Sequence, residues 1–299
     1  MSTTEEDRQG QLTAHSASRV DLDGRYGPIA ALRTTAPSDA TVLLVPGYTG
    51  SKEDFAPLLD ALAEARFEAV AIDLPGQYES GGPGDETAYL PAALGEVVAG
   101  LVTALGDGGR PVLLLGHSFG GLVVRAAVLA GAPIAGLVLM DTGPRHLPDG
   151  IRRAALGVGE PLLREGTPEG LAAAYAVREQ VSARFPAWET VPAALKDFYR
   201  RRFTASSAPG LLGMAMALRT EPDRVAELAE ALRRGGTPCA VVAGEGDDAW
   251  SVPEQQDMAR RLDAPFLSIP DSAHSPNTEN PAGLLAALLP RWRTWLALS

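Results

Sequence analysis

Short uninterrupted apolar runs alternate along this chain with stretches whose apolar residues recur every three or four positions. The runs at 41–45, 68–72, 112–115 and 134–140 read as strands. The segments 53–65 (with leucines at 58, 59 and 62), 89–105 and 121–130 carry helical spacing between them. Strands with almost no polar interruption are expected where a parallel sheet is covered on both faces, and strict alternation with helices gives the same architecture. Upstream, residues 11–36 are irregular, with Asp23-Gly24 and Tyr26-Gly27-Pro28 as turn signals, and predict an antiparallel strand pair at a sheet edge.

The alternation stops after the fourth run. From 143 to 236 the pattern is helical throughout, broken by Thr167-Pro168, Phe185-Pro186, Val191-Pro192, residues 206–210 and Glu221-Pro222. It resumes with a strand at 239–243, a helix after Val252-Pro253, a strand at 265–269 and a closing helix over 284–296. The expected fold is α/β: a doubly wound, mostly parallel sheet of eight strands carrying an inserted helical block. The expected division is a disordered terminus at 1–10, a first core part at 11–142, a helical cap at 143–236 and a second core part at 237–299.

Length and composition narrow the partners. At 299 residues the chain has room for one large α/β domain, and 45% apolar with 21% charged residues is ordinary for a globular protein. A net charge of −11 argues against a nucleic-acid partner, since that affinity comes from Lys and Arg neutralising phosphates. No apolar stretch approaches the ~20 residues of a membrane helix, and the polar, acidic N-terminus has no signal-peptide core. Cys239, the single cysteine, excludes an internal disulfide and reads as a small core residue. A cytoplasmic monomer or homodimer acting on a small molecule is expected.

The sharpest chemical signal is Gly116-His117-Ser118-Phe119-Gly120, set between an apolar strand and a helical pattern. A serine at a tight strand-to-helix turn is lifted clear of the backbone, and the flanking glycines let strand and helix pass closely. A hydroxyl needs a base, and the chain has four histidines. His117 points along its strand, His15 lies in the edge segment, and His146 follows a loop without a positioning element. His274 follows the last strand, at the carboxyl end of a parallel sheet where ligands bind. The base needs an acid to set its tautomer, and Asp247 in Gly244-Glu245-Gly246-Asp247-Asp248 is one turn beyond a strand end. Asp248 is its neighbour and rival, and Asp141, ending the 137–140 run, is the alternative position. The N–H of Phe119 and that of Tyr48, in Pro46-Gly47-Tyr48-Thr49-Gly50, are the expected oxyanion donors. Asp73 is expected to organise the Leu74-Pro75-Gly76 turn.

Together the Pro46–Gly50, Gly116–Gly120, Gly244–Asp247 and Ala273-His274 segments resemble the α/β-hydrolase superfamily from residue 11 onward, in the chain order Ser…Asp…His. Pro46 stands where that family often has histidine before the glycine. The acid loop and the base loop His274-Ser-Pro-Asn277 look like a bacterial subgroup of α/β hydrolases. The resemblance implies acyl transfer by a serine: hydrolysis of a small ester, thioester or lactone through an acyl-enzyme. It argues against dehalogenases and epoxide hydrolases, which use aspartate at that turn. A biosynthetic acyltransferase, cyclase or lyase with the same residues, or a ligand-binding relative, are the alternatives. Four scattered histidines and one cysteine offer no metal-ligand spacing, and no Gly-x-Gly-x-x-Gly opens the first βα unit, so no cofactor is expected. Gly47, Trp188 and Met214 are the candidate pocket residues, implying an apolar acyl or alcohol group of modest size.

Overall fold

Strand residues that alternate between two faces explain why these runs are apolar without a break. In the computed structural model, which describes residues 10–298 except Ala36 and Phe185 (with the side chains of 186, 187 and 298 also outside the description), eight strands form one sheet. They are β1 (Ser18–Leu22), β2 (Ile29–Arg33), β3 (Ala40–Val45), β4 (Phe67–Ile72), β5 (Val112–His117), β6 (Gly136–Met140), β7 (Cys239–Gly244) and β8 (Phe266–Ile269). The spatial order is β1-β2-β4-β3-β5-β6-β7-β8. The pairings of β2 with β1 and β4 are antiparallel and the others parallel. The expected edge pair is therefore present. The expected disordered terminus falls outside the described residues but for Gly10, which opens a 3-10 turn.

Leu43, Val70, Leu114, Leu139 and Val241 face one layer, while Val42, Ala69, Leu113, Val138 and Val242 face the other. The second layer holds α1 (Ala56–Glu64) and the C-terminal helix. The first holds α2 (Pro91–Leu105) and α3 (Phe119–Leu129). The expected helix at 53–65 begins with a 3-10 turn over Lys52–Phe55 and becomes α-helical at Ala56. Pro57 sits in the first α turn, where its missing N–H leaves no bond unmade.

Between β6 and β7 run α4 (Ile151–Val158), α5 (Glu160–Leu163), α6 (Pro168–Ser182), α7 (Pro186–Glu189), α8 (Ala193–Ala205), α9 (Ala208–Thr220) and α10 (Val225–Gly235). The last of these lies in the sheet's own layer: α10 packs on α3, with Val225, Leu228 and Leu232 in the first core cluster. The helices α4–α9 have a small core of their own, made by Leu163, Ala174, Tyr175, Phe203, Leu211 and Leu212. Arg125 of α3, 2% exposed, holds both ends of the insert through the Pro144 carbonyl and the Glu221 carboxylate at 2.8 Å. Then follow α11 (Val252–Arg261), α12 (Pro276–Glu279) and α13 (Pro281–Leu298). Among the described residues no helix is long and apolar enough to cross a membrane.

The connection after β3 runs to β4 on one side, while β5 lies on the other. The carboxyl ends of β3 and β5 are thus neighbours where the strand order reverses, with Val45 opposite Gly116. A crevice opens at such a point in a parallel sheet, and it places the loop at 46–50 beside the turn at 116–120.

Candidate active site

Ser118 follows β5 at the N-cap of α3, with φ +54° and ψ −119°, a left-handed conformation that costs a non-glycine residue energy and persists only when its surroundings enforce it. The enforcement is visible in its neighbours. A Cβ on Gly116 would lie 2.4 Å from the Gly120 carbonyl oxygen, and one on Gly120 would lie 2.4 Å from that of Val45. Only glycine at both positions lets α3 begin directly against β5 and β3. The Ser118 N–H is tied to the Met140 carbonyl at 2.9 Å.

His274 comes from the loop between β8 and α12, and its Nε2 lies 3.0 Å from Ser118 Oγ. Its Nδ1 donates to Asp247 Oδ1 at 2.8 Å. Asp247 accepts two further hydrogen bonds, from the Ala249 N–H at 2.9 Å on Oδ1 and from the Gln255 side-chain amide at 2.7 Å on Oδ2; Gln255, itself fully buried, is also anchored to the Trp250 carbonyl. Burial alone would raise the Asp247 carboxyl, but the hydrogen bond and charge of His274, with those two donors, hold its pKa below the ordinary value.

Asp141, the alternative acid, stands behind Asp247 rather than on His274. Its Oδ1 accepts the Gly244 N–H at 2.9 Å, its Oδ2 has no partner among the described residues, and it is 0% exposed. Atoms of Asp141, Asp247 and His274 lie within 4.8 Å of one another. Burial, with the Asp247 charge added, raises Asp141 well above the usual carboxylate range, whereas Asp247 is held below it. Asp248 points elsewhere, pairing with Arg152 of α4.

The loop at 46–50 presses on the serine: a Cβ on Gly47 would lie 3.0 Å from Ser118 Cβ. The Gly47 carbonyl accepts the Gly50 N–H at 3.0 Å and the Gln77 side-chain amide at 2.8 Å. In a planar trans peptide the Tyr48 N–H points opposite to that carbonyl, and among the described residues neither it nor the Phe119 N–H has a hydrogen-bond partner. Gln77 is 1% exposed and also accepts the Leu74 N–H, so it joins this loop to the turn after β4. Gln77→Leu is expected to lower kcat about 10- to 100-fold with less effect on KM, a steady-state measurement on any ester the protein turns over. The ceiling is the loss of about 10²–10³ on deleting an oxyanion donor outright. Gln77 rather than Asp73 thus shapes the 74–77 turn. Asp73 instead accepts the Lys52 N–H and ammonium and the Glu79 N–H.

His117, next to the serine, donates from Nε2 to the His274 carbonyl at 2.7 Å, holding the base's backbone, while its buried Nδ1 has no partner among the described residues. Burial, reinforced by His274, lowers its pKa to about 4. A histidine whose folded pKa lies below its unfolded value of about 6.5 costs stability as the unfolded chain takes up a proton. The loss begins below pH ~6.5 and is complete near pH ~4, about 3 kcal/mol in all. Urea unfolding across that window is expected to show the slope, and His117→Gln to flatten it; an equal slope in both proteins excludes this origin.

Above these residues is a cavity of about 640 Å³, the size of a small-molecule site. Core loops line it with Gly47, Tyr48, Ser118 and His274, and the insert adds Leu163, Tyr175, Arg178 and Trp188. Of the residues suggested by the sequence for the pocket, Gly47 and Trp188 are among those that border the cavity. Met214 is not: it does not border the cavity, is 1% exposed and packs in the first core cluster, its Sδ 3.9 Å from the Gln77 amide. Helix α9 has apolar residues all round, and the face bearing Met214 is the one turned to the core. His146 bonds the Glu221 carbonyl and does not border the cavity either. One strut was not foreseen. Arg202 of α8 pairs with Asp54 at 2.6 Å, and Gln11 donates to the same carboxylate at 2.9 Å while accepting the Tyr199 hydroxyl at 3.1 Å.

A hydroxyl, an imidazole and a carboxylate in one relay, beside two unpaired amides, are the parts of nucleophilic acyl transfer. Residues 42–288 match the sequence model of the Alpha/beta hydrolase family, and the chain belongs to that family. It is similar to the 3-hydroxybutyrate-oligomer hydrolase of Cupriavidus necator, 26% identical over 266 residues that cover 81% of this chain and 84% of the relative. Among solved structures it resembles a thermophilic esterase from Thermogutta terrifontis, at 24% identity and TM-score 0.72 over 93% of this chain and 99% of the other. It also resembles a carboxylesterase of Nitrososphaera gargenis, at 17% identity and TM-score 0.70 over 94% and 100%.

Proposed function

We propose that the protein is a serine hydrolase that cleaves small carboxylic esters, thioesters or lactones through an acyl-enzyme on Ser118. The observation that carries this reading is the relay from Ser118 Oγ through His274 to Asp247, unbroken at 3.0 and 2.8 Å on the floor of the cavity. His274 Nε2 takes the Ser118 proton as Oγ attacks the carbonyl carbon. The Tyr48 and Phe119 N–H groups receive the charge that develops on the carbonyl oxygen. Asp247 keeps the His274 proton on Nδ1 and stabilises the imidazolium. His274 then gives its proton to the leaving alcohol or thiol, and water repeats the sequence to release the acid. The insert α4–α9 acts as a cap, setting which acyl and alcohol groups reach Ser118.

The curated relative at 26% identity acts, by its name, on oligomers of 3-hydroxybutyrate, which supports short esters of hydroxy acids as candidates here. The test is labelling by a fluorophosphonate, followed by a p-nitrophenyl ester series of increasing acyl length and the linear dimer of 3-hydroxybutyrate. Adduct at Ser118 and turnover of short esters are expected. No label and no turnover across the series would remove the proposal.

A further inference from the structure

The two hydrogen bonds on the Gly47 carbonyl, from the Gly50 N–H and the Gln77 side chain, orient the peptide that carries the Tyr48 N–H. Traced outward, both supports lead to one corner of the insert, where α8 gives way to α9. On the Gly50 side, a Cβ on Gly50 would lie 2.5 Å from Asp54 Oδ2, so the loop closes directly on that carboxylate. Asp54 Oδ2 accepts the Ser51 N–H at 3.1 Å, and its Oδ1 accepts from Arg202 Nη1 of α8 at 2.6 Å. The same Nη1 reaches Ser51 Oγ at 3.3 Å. On the Gln77 side, Ser206 donates its hydroxyl to the Arg202 carbonyl at 2.9 Å and accepts the Tyr78 N–H at 3.0 Å. The N–H of Ser207, the N-cap of α9, donates to the Gly76 carbonyl at 2.8 Å. Gln77 is thus flanked on both sides by residues that the insert holds. Ser51, Asp54, Arg202 and Ser206 are all buried, where such bonds are stronger than at a surface.

Building on the reading of the Tyr48 N–H as an oxyanion donor, we propose that this corner of the insert completes the oxyanion hole. Arg202 and Ser206 are positioning residues that set the Tyr48 N–H, so the insert governs the chemical step as well as access to it. Such a donor acts at about 2.7–3.1 Å from the developing charge, and a misplacement of about 1 Å costs on the order of 10²-fold. The core holds the same turn from below: the Asp73 carboxylate accepts the Glu79 N–H, and its carbonyl accepts the Ser80 hydroxyl. Loss of one contact with the insert therefore displaces the loop without releasing it. Charge gathers on the carbonyl oxygen only as Ser118 attacks, so the cost falls on the transition state and spares binding of the substrate.

Arg202→Met is expected to lower kcat about 10- to 100-fold and Ser206→Ala about 3- to 10-fold, each with KM changed less than about 3-fold. Arg202→Lys, which keeps a charge for Asp54, should restore part of the rate. Ser206→Ala leaves no buried charge unpaired, and so carries the test if Arg202→Met does not fold. Arg200→Met, which breaks an exposed pair with Asp197 on the same helix, is expected to leave kcat unchanged. A matched pair of ketones reads the hole itself. A trifluoromethyl ketone accepts Ser118 Oγ on its carbonyl carbon; the C=O electron pair moves to oxygen and the hydroxyl proton to His274 Nε2, leaving an oxyanion. The methyl ketone of equal chain length occupies the cavity without that addition. Affinity for the first should fall in Arg202→Met and Ser206→Ala in step with kcat/KM, while affinity for the second stays within about 3-fold. If kcat holds in both variants, or both ketones weaken together, the corner shapes only the cavity and the proposal is overturned, with the hydrolase reading intact. In protein labelled with [15N]tyrosine, the Tyr48 amide resonance is expected to shift in Arg202→Met and Ser206→Ala but not in Arg200→Met; a resonance unmoved in all three also overturns the proposal. That measurement needs no turnover. If no ester and no trifluoromethyl ketone reacts, the hydrolase reading falls, and the Tyr48 resonance alone decides whether the corner sets the loop.

Discussion

Ser118→Ala is expected to lower kcat by about 10⁴–10⁶ and to abolish fluorophosphonate labelling, with the folded structure intact. The size follows from the partnering of the base: among the described residues the single hydrogen-bond partner of His274 Nε2 is Ser118 Oγ, with no substitute nucleophile beside it. The structural innocence of the change follows from the same geometry. Ser118 Oγ bonds to nothing in the fold's interior, and without it His274 Nε2 faces the cavity, where water can meet it. The backbone strain at φ +54° remains, because alanine also has a Cβ. Ser118→Gly should instead relieve it and raise the melting temperature slightly. The check is single-turnover kinetics on the best short ester, with the adduct mapped by mass spectrometry. An adduct on another serine, or activity within about 10-fold of the parent protein, places the nucleophile elsewhere.

The features legible in the sequence are those whose cause is local. Strand runs such as 112–115 are apolar on both faces because helices cover both, so their pattern announced the parallel sheet. Ser118 was legible because its strain needs glycine two positions before and two after. The approach of Asp247 and His274 to it followed from each being placed just beyond the carboxyl end of a strand. What escaped was set by partners far away in the chain. Gln77 reaches Gly47 across 30 residues and Arg202 reaches Asp54 across 148; neither leaves a pattern at either end. Met214 was misplaced because a helix apolar all round does not say which face meets the cavity. Helix α10 reads like the rest of the insert, and only its packing on α3 separates it. Asp73 follows a strand just as Asp247 does, but Lys52, buried against it, turned its carboxylate to a different use.

The three aspartates near His274 are expected to separate cleanly on replacement by asparagine. Asp247→Asn should cost about 10⁴ in kcat. In one amide orientation the new NH₂ meets the Gln255 amide donor; in the other it meets the Ala249 N–H and His274 Nδ1. The second orientation pushes the imidazole proton to Nε2, where it can no longer accept from Ser118, and either one removes the charge that stabilises the imidazolium. Asp248→Asn breaks an exposed pair with Arg152 and should change kcat by a few-fold at most. Asp141→Asn is the discriminating case. If Asp141 keeps its proton in the folded protein, asparagine is close to an isostere: its oxygen still accepts the Gly244 N–H, its NH₂ still points toward Asp247, and kcat should stay within a few-fold. Stability should change in a particular direction. A carboxyl whose folded pKa lies above its unfolded value of about 3.9 contributes stability at low pH that is lost as pH rises toward the folded pKa, because the unfolded chain ionises there and the folded one does not. Asparagine has no such proton to lose. Asp141→Asn should therefore melt higher than the parent protein at pH 7, and the gain should vanish as the pH approaches 3.5. A drop in kcat for Asp141→Asn comparable to that of Asp247→Asn, or a lower melting temperature at pH 7, means that Asp141 is ionised and shares the work on His274.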